Sequence, residues 1–212
     1  MLRQGGRGRS TLTLVEFEGR RALLKNFAHE GALFRKSLGR IMAIREARAY
    51  RRLARVEGVP QLLGRLLPDG LVIEYFGDST LARNAGNRLS PDFFERLSTL
   101  LRCVRARGVL HGDIGHNVLH SDNGRPLLVD FGASFVIPPM PPWLRAAILD
   151  YVAFHDERAI VKLKARSAPN LMTDTDQQVL ANRLSFDRPL ELLEKMVRSI
   201  VMFLTGPTVP RG

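Results

Sequence analysis

Residues 118–129, VLHSDNGRPLLV, hold two short apolar runs on either side of Asp122-Asn123-Gly124, with HGDIGHN before them at 111–117 and DFG after them at 130–132. An Asn-Gly pair between apolar runs is a strong hairpin signal, because a type I′ turn requires φ > 0 at both central positions. With Asn123-Gly124 as a two-residue loop, Asp122 faces Arg125, His120 faces Leu127, Val118 faces Val129 and Asn117 faces Asp130. Pro126 then opposes Ser121 at a non-hydrogen-bonded pair, where its missing N–H breaks no ladder bond. Opposed residues lie roughly 5 Å apart on one side of a hairpin, so Asn117 and Asp130 offer oxygens to one hard cation, with Mg²⁺ the natural candidate. Asp113, four residues before Asn117 in a glycine-containing loop, adds a carboxylate suited to a base or substrate-positioning role.

The surrounding chain changes character along its length. TLTLVEF at 11–17 and RRALLKNF at 20–27 flank Glu18-Gly19 and read as a hairpin, with Lys25 near its end. Residues 41–56 contain no Gly or Pro before Gly58 and Pro60, which predicts a helix. QLLGRLL and LVIEYF surround Pro68-Asp69-Gly70 as a second hairpin. Ser90 is placed to cap a helix opening on Pro91, with Phe93, Phe94, Leu97, Leu100, Leu101 and Val104 on its apolar face. Strands, one helix, strands and then a mainly helical half predict an α+β protein of two lobes: 1–73, a joint at 74–79, and 80–212.

Composition narrows the partners. Cys103 is the only cysteine, so neither an intramolecular disulfide nor a cysteine-rich zinc site is available. No secretory signal or membrane span is evident, and a cytoplasmic location is expected, with the inner membrane face as a peripheral site. A net charge of +11 draws nucleic acid, an anionic membrane surface, nucleotide phosphates or an acidic acceptor, and by itself selects none of them. Leu190–Leu204, apolar but carrying Lys195 and Arg198, offers a face that packs against the lobe, with docking on an anionic membrane as the second reading. Nucleic acid is the least favoured partner, since no stacking-aromatic motif or groove-reading helix is visible.

The order HGD at 111–113, Asn117, a short hairpin and Asp130-Phe131-Gly132 resembles the protein-kinase-like superfamily. The HGD form looks most like its atypical branches: RIO-type kinases, aminoglycoside phosphotransferases and lipopolysaccharide-core sugar kinases. The resemblance spans roughly residues 5–135. It implies a bilobal kinase-like fold and transfer of the γ-phosphate of ATP, with Mg²⁺ or Mn²⁺, to a hydroxyl acceptor. It also implies roles: Asp113 as the catalytic residue, Asn117 and Asp130 as metal ligands, Gly5, Gly6 and Gly8 as a phosphate-covering loop, and Lys25 paired with Glu46 to orient phosphates. Glu74–Gly77 occupies the place of the hinge whose backbone holds adenine.

Two departures shape the expected function. Asp113 and Asn117 are four apart where the family loop has five, which keeps a non-catalytic docking module among the readings. After DFG, ASFVIPPMPPWLRAAILDYVAF holds no peptide-docking segment, which favours a sugar of a glycan or lipopolysaccharide, or a lipid-linked sugar, over a protein serine or threonine.

Overall fold

The computed structural model describes residues 10–27, 33–66, 69–77, 79–85 and 89–181. The chain divides into two compact units, Met1–Met172 and Thr173–Gly212. Gly5, Gly6, Gly8 and the segment Leu190–Leu204 lie outside the described residues.

The first unit opens with a four-stranded antiparallel sheet of β1 (Thr11–Phe17), β2 (Arg20–Asn26), β3 (Leu62–Leu66) and β4 (Gly70–Glu74), in the order β1-β2-β4-β3. Glu18 and Gly19 both have positive φ (50° and 73°), so this pair forms the primed turn that closes β1 on β2 with Phe17 opposite Arg20. β4 lies between β2 and β3, and its Leu71, Val72 and Ile73 are all buried, as a continuous apolar run in a central strand should be. Helix α1 runs from Leu33 to Arg52, starting earlier and stopping sooner than the expected 41–56. Its end follows from Arg55, whose φ of 65° is incompatible with continuing the helix. Ala43, Ala47 and Tyr50 point into the core at helical spacing, and Arg48, Arg51 and Arg52 point out.

The mainly helical part begins with β5 (Thr80–Leu81) and α2 (Pro91–Ala106). Ser90 Oγ accepts the Phe93 N–H at 3.2 Å, and the six expected apolar residues of α2 are buried, each contributing about 1.5 to 3 kcal/mol. Three short strand pairs follow: β6 (Val109–Leu110) with β9 (Phe135–Val136), β7 (Val118–His120) with β8 (Pro126–Leu128), and β5 on the outer side of β7. Helix α3 (Pro142–Ser167) contains the expected helical stretch YVAFHDERAIVKLK, and its buried Asp156 pairs with Arg105 of α2. One buried cluster joins α1, the sheet, α2 and the β7–β8 hairpin. In the second unit, Thr173 caps α4 (Asp174–Ala181): its Oγ1 accepts the Asp176 N–H at 3.2 Å, and the Asp176 carboxylate accepts the Thr173 N–H in return at 2.8 Å.

The β7–β8 register differs from the expected one. Val118 opposes Leu128, Leu119 opposes Leu127 and His120 opposes Pro126. Only Gly124 of the loop has positive φ (77°), and its N–H donates to Ser121 O at 2.9 Å. Asp122-Asn123-Gly124 is therefore a three-residue loop, a type I turn followed by a left-handed glycine, in place of a two-residue type I′ turn. Ser121 and Arg125 close it, with Ser121 Oγ accepting the Arg125 N–H at 2.9 Å. Every pair moves by one residue, and Asn117 O accepts from Val129 N at 2.9 Å. Asn117 thus opposes Val129, and Asp130 is the next residue along.

Candidate functional site

The β7–β8 ladder at one end and the β6–β9 ladder at the other staple loop 111–117 against loop 129–134. The two loops touch at Gly112, where φ is +81° and an added Cβ would lie 2.8 Å from Ala133 O. Glycine meets both demands at once, a left-handed backbone and a close approach of main chains.

Asp113 is fixed by three contacts from its own loop. Its N–H donates to His111 Nδ1 at 3.3 Å, its carbonyl accepts from Asn117 Nδ2 at 2.8 Å, and its Oδ1 lies 3.2 Å from His116 Nδ1. The first contact makes His111 Nδ1 an acceptor, so Nε2 carries the proton it donates to Val129 O at 2.9 Å. The second orients the Asn117 amide and leaves Oδ1 as its outward acceptor. The Asp113 side chain is half-exposed, open to an incoming group.

Lys25 of β2, Glu46 of α1 and Asp130 meet in a single cluster. Lys25 Nζ is 2.8 Å from Glu46 Oε1 and 2.6 Å from Asp130 Oδ1. Lys25 and Glu46 are buried, whereas the Asp130 side chain is 43% exposed, so Asp130 forms the mouth of the cluster. Asp130 has φ +60°, a strained conformation for a non-glycine residue, and its Oδ1 also accepts Gly132 N–H at 3.3 Å. The buried Glu46 carboxylate also interacts with the buried Tyr50 hydroxyl. Gly132 sits against the cluster: a Cβ there would lie 3.1 Å from Asp130 Oδ1.

The electrostatics follow from burial and sharing. Burial works to lower the Lys25 pKa, but Glu46 and Asp130 together hold it above its ordinary 10.5. Burial raises the Glu46 carboxyl by more than its share of Lys25 lowers it. Burial also pushes Asp130 upward, yet Lys25 and the Gly132 N–H bring it below 3.8. Burial depresses His111 below 6.5 despite its bond to Val129 O.

His111 and Asp130, both held below their ordinary values, resist protonation in the fold more than in the unfolded chain, so the stability they contribute is present above those values and lost on acidification. Glu46 acts in the opposite sense, its cost relieved as it takes up a proton. Denaturant unfolding at about pH 7.5 and about pH 5.5 is expected to show lower stability at the acid point, with a smaller difference in His111→Gln. An undiminished difference in the variant would remove His111 from that window.

Tyr50, Phe131 and His111 stack edge to face, with ring centroids 5.2 Å and 4.6 Å apart, and so connect α1 to the Asp113 loop through the DFG phenylalanine. Beside them lies a cavity of about 200 Å³. Leu12, Leu23 and Ile73 line it from the sheet, Glu74–Gly77 from the connection after β4, and Leu119 and Val129 from the hairpin, with Lys25 and Asp130 among its polar residues. Sequence reasoning had marked 74–77 but not Leu119 or Val129. The alternation of β7, with Val118 and His120 buried and Leu119 half-buried, was the available signal. Among the described residues no cluster of three His, Cys, Asp or Glu side chains could hold an ion, and no helix is long and apolar enough to cross a membrane.

No protein-family model matches the chain, and no curated protein matches it. Solved structures similar to it include the Rio2 kinase from Chaetomium thermophilum in its ADP/Mg²⁺-phosphoaspartate complex, at 18% identity and TM-score 0.58, over 84% of this chain and 60% of that one. Another structure of the Rio2 kinase from Chaetomium thermophilum aligns at 17% identity and TM-score 0.59, over 84% of this chain and 61% of that one. The chain spans about 60% of the length of these kinases. Its fold is an α+β, bilobal, atypical protein-kinase-like fold of the RIO type.

Proposed function

We propose that the chain is an ATP-dependent phosphotransferase, transferring the γ-phosphate to a hydroxyl acceptor with Mg²⁺ or Mn²⁺. The observation that carries this is Lys25, held by Glu46 and Asp130 beside an apolar cavity bordered by Glu74–Gly77. A flat purine suits the apolar walls, and phosphates reaching Lys25 replace Asp130 as its partner. Asn117 Oδ1 and Asp130 Oδ2 are the donors that would hold the ion, and two such ligands completed by phosphates and water are ordinary for Mg²⁺. When bound, the ion neutralises charge on the transferring phosphate.

Asp113 is the residue that orients the acceptor hydroxyl and takes its proton. Its three contacts hold it in place although the loop is one residue short, and this favours catalysis over the docking-module reading. The Rio2 complex with ADP/Mg²⁺ supports the choice of nucleotide and ion. The expected preference for a glycan or lipopolysaccharide sugar gains no support from these neighbours, and a protein serine or threonine stands level with it. A membrane surface as partner gains none either.

Titration calorimetry with ADP tests the reading without an acceptor. Wild type is expected to bind ADP more tightly with Mg²⁺ than with EDTA, and Asp130→Asn to lose that difference. Absence of ADP binding, or binding indifferent to Mg²⁺ in wild type, contradicts it.

A further inference from the structure

We propose that the outer face of α1 is a nucleic-acid docking ridge, binding the phosphodiester backbone without regard to base sequence. Arg48, Arg51 and Arg52 follow the i, i+3, i+4 spacing that places side chains on one helical face, Arg55 lies in the turn just past the end of α1, and all four are exposed. None of their guanidinium groups meets a carboxylate or any other partner among the described residues. Arg107, at the end of α2, adds a fifth exposed charge by donating from Nη1 to Arg52 O at 3.4 Å and Ala54 O at 3.3 Å. No acid lies within 47–56; Glu46 is buried against Lys25 and Glu57 is paired with Arg125. Like charges so close repel one another, and the helix C-terminus offsets only part of that. An external polyanion supplies countercharge to Arg48, Arg51 and Arg52, whereas Arg55 and Arg107 line a cavity that also holds Glu57, Glu74, Asp92 and Glu95.

Three features select nucleic acid among polyanions. Lysine occurs only at 25, 36, 162, 164 and 195, so the ridge is purely arginine, whose planar fork matches phosphate oxygens two at a time. The large exposed apolar side chains among the described residues are Leu66 and Trp143, neither on the ridge, so nothing there inserts into a lipid surface. At 1.5 Å per residue the helical part of the ridge, Arg48 to Arg52, spans about 6 Å, the rise of about two phosphates along one strand at 3.4 Å each. The missing stacking aromatics do not count against backbone binding, because phosphate contacts need none. The inward face of the same helix carries Glu46 and Tyr50, so docking leaves the nucleotide cavity open and is independent of the phosphotransfer reading.

Fluorescence anisotropy of the full chain with labelled polyuridine and with duplex DNA is the test, with phosphatidylserine vesicles and a polyglutamate peptide as the other arms. Wild-type binding is expected to weaken by about 100-fold between about 50 and 200 mM salt. Replacing Arg48, Arg51, Arg52 and Arg55 by Gln lowers the slope of log K against log salt by about 0.7 to 0.9 per arginine, about 3 in all. ATP turnover and thermal midpoint should stay at wild-type values, and Arg20→Gln on β2 should bind as wild type does. The proposal is overturned by absence of nucleic-acid binding, by an unchanged slope in the fourfold variant, or by binding confined to vesicles or to polyglutamate.

Discussion

Lys25→Met is expected to lower the unfolding free energy by about 3 to 5 kcal/mol, the range seen when one partner of a buried ion pair is removed. The size comes from what is left behind. Glu46 is fully buried, and Lys25 Nζ at 2.8 Å is the cation that compensates its charge. Asp130 also loses its principal counter-charge, though at 43% exposure water screens it. Glu46→Leu in the Lys25→Met background is expected to restore much of the loss, because a buried pair replaced by apolar residues of similar size is often neutral. Urea unfolding of the single and double variants measures both effects. A loss below about 1 kcal/mol for Lys25→Met would show that the cluster behaves like a surface pair. The same cluster sets the alkaline limit: Lys25's raised pKa means that its contribution is complete below 10.5 and lost as the pH rises through the folded value.

Asp113→Ala is expected to reduce turnover by about 10² to 10⁴-fold, the usual contribution of a positioned base, with ADP affinity unchanged. The separation is predicted because Asp113 is not among the cavity residues and its carboxylate contacts only His116 within the loop. Steady-state kinetics together with ADP calorimetry reads both quantities. A variant that turns over as wild type does would remove Asp113 from the chemistry, and one that loses ADP affinity would make it a structural support of the nucleotide site.

How much of this was legible in the sequence differs from element to element. Helix α2 was read from its Ser90-Pro91 start and its apolar face, since capping and burial periodicity are local signals. The pairing of Lys25 with Glu46 came from the family resemblance, and the fold brings them to 2.8 Å. The hairpin was legible as a hairpin but not in its register. Asn123-Gly124 satisfies the sequence signal for a type I′ turn, yet Asn123 does not take positive φ, and Ser121 Oγ instead secures a three-residue loop. The Tyr50–Phe131–His111 stack was not legible as a unit, because its members come from three segments that only tertiary packing brings together. The start of α1 was not legible because Gly39, a poor helix former, interrupts the pattern just before residue 41.

The central claim is that the Lys25–Glu46–Asp130 cluster and Asp113 serve transfer of phosphate from ATP. Its most direct measurement is ADP release from ATP with Mg²⁺ by wild type and Asp130→Ala, with protein and glycolipid acceptors supplied. The account predicts turnover that requires Mg²⁺ or Mn²⁺, rises with one class of acceptor and is lost in Asp130→Ala. Turnover that persists in the variant, or proceeds in EDTA, would contradict it.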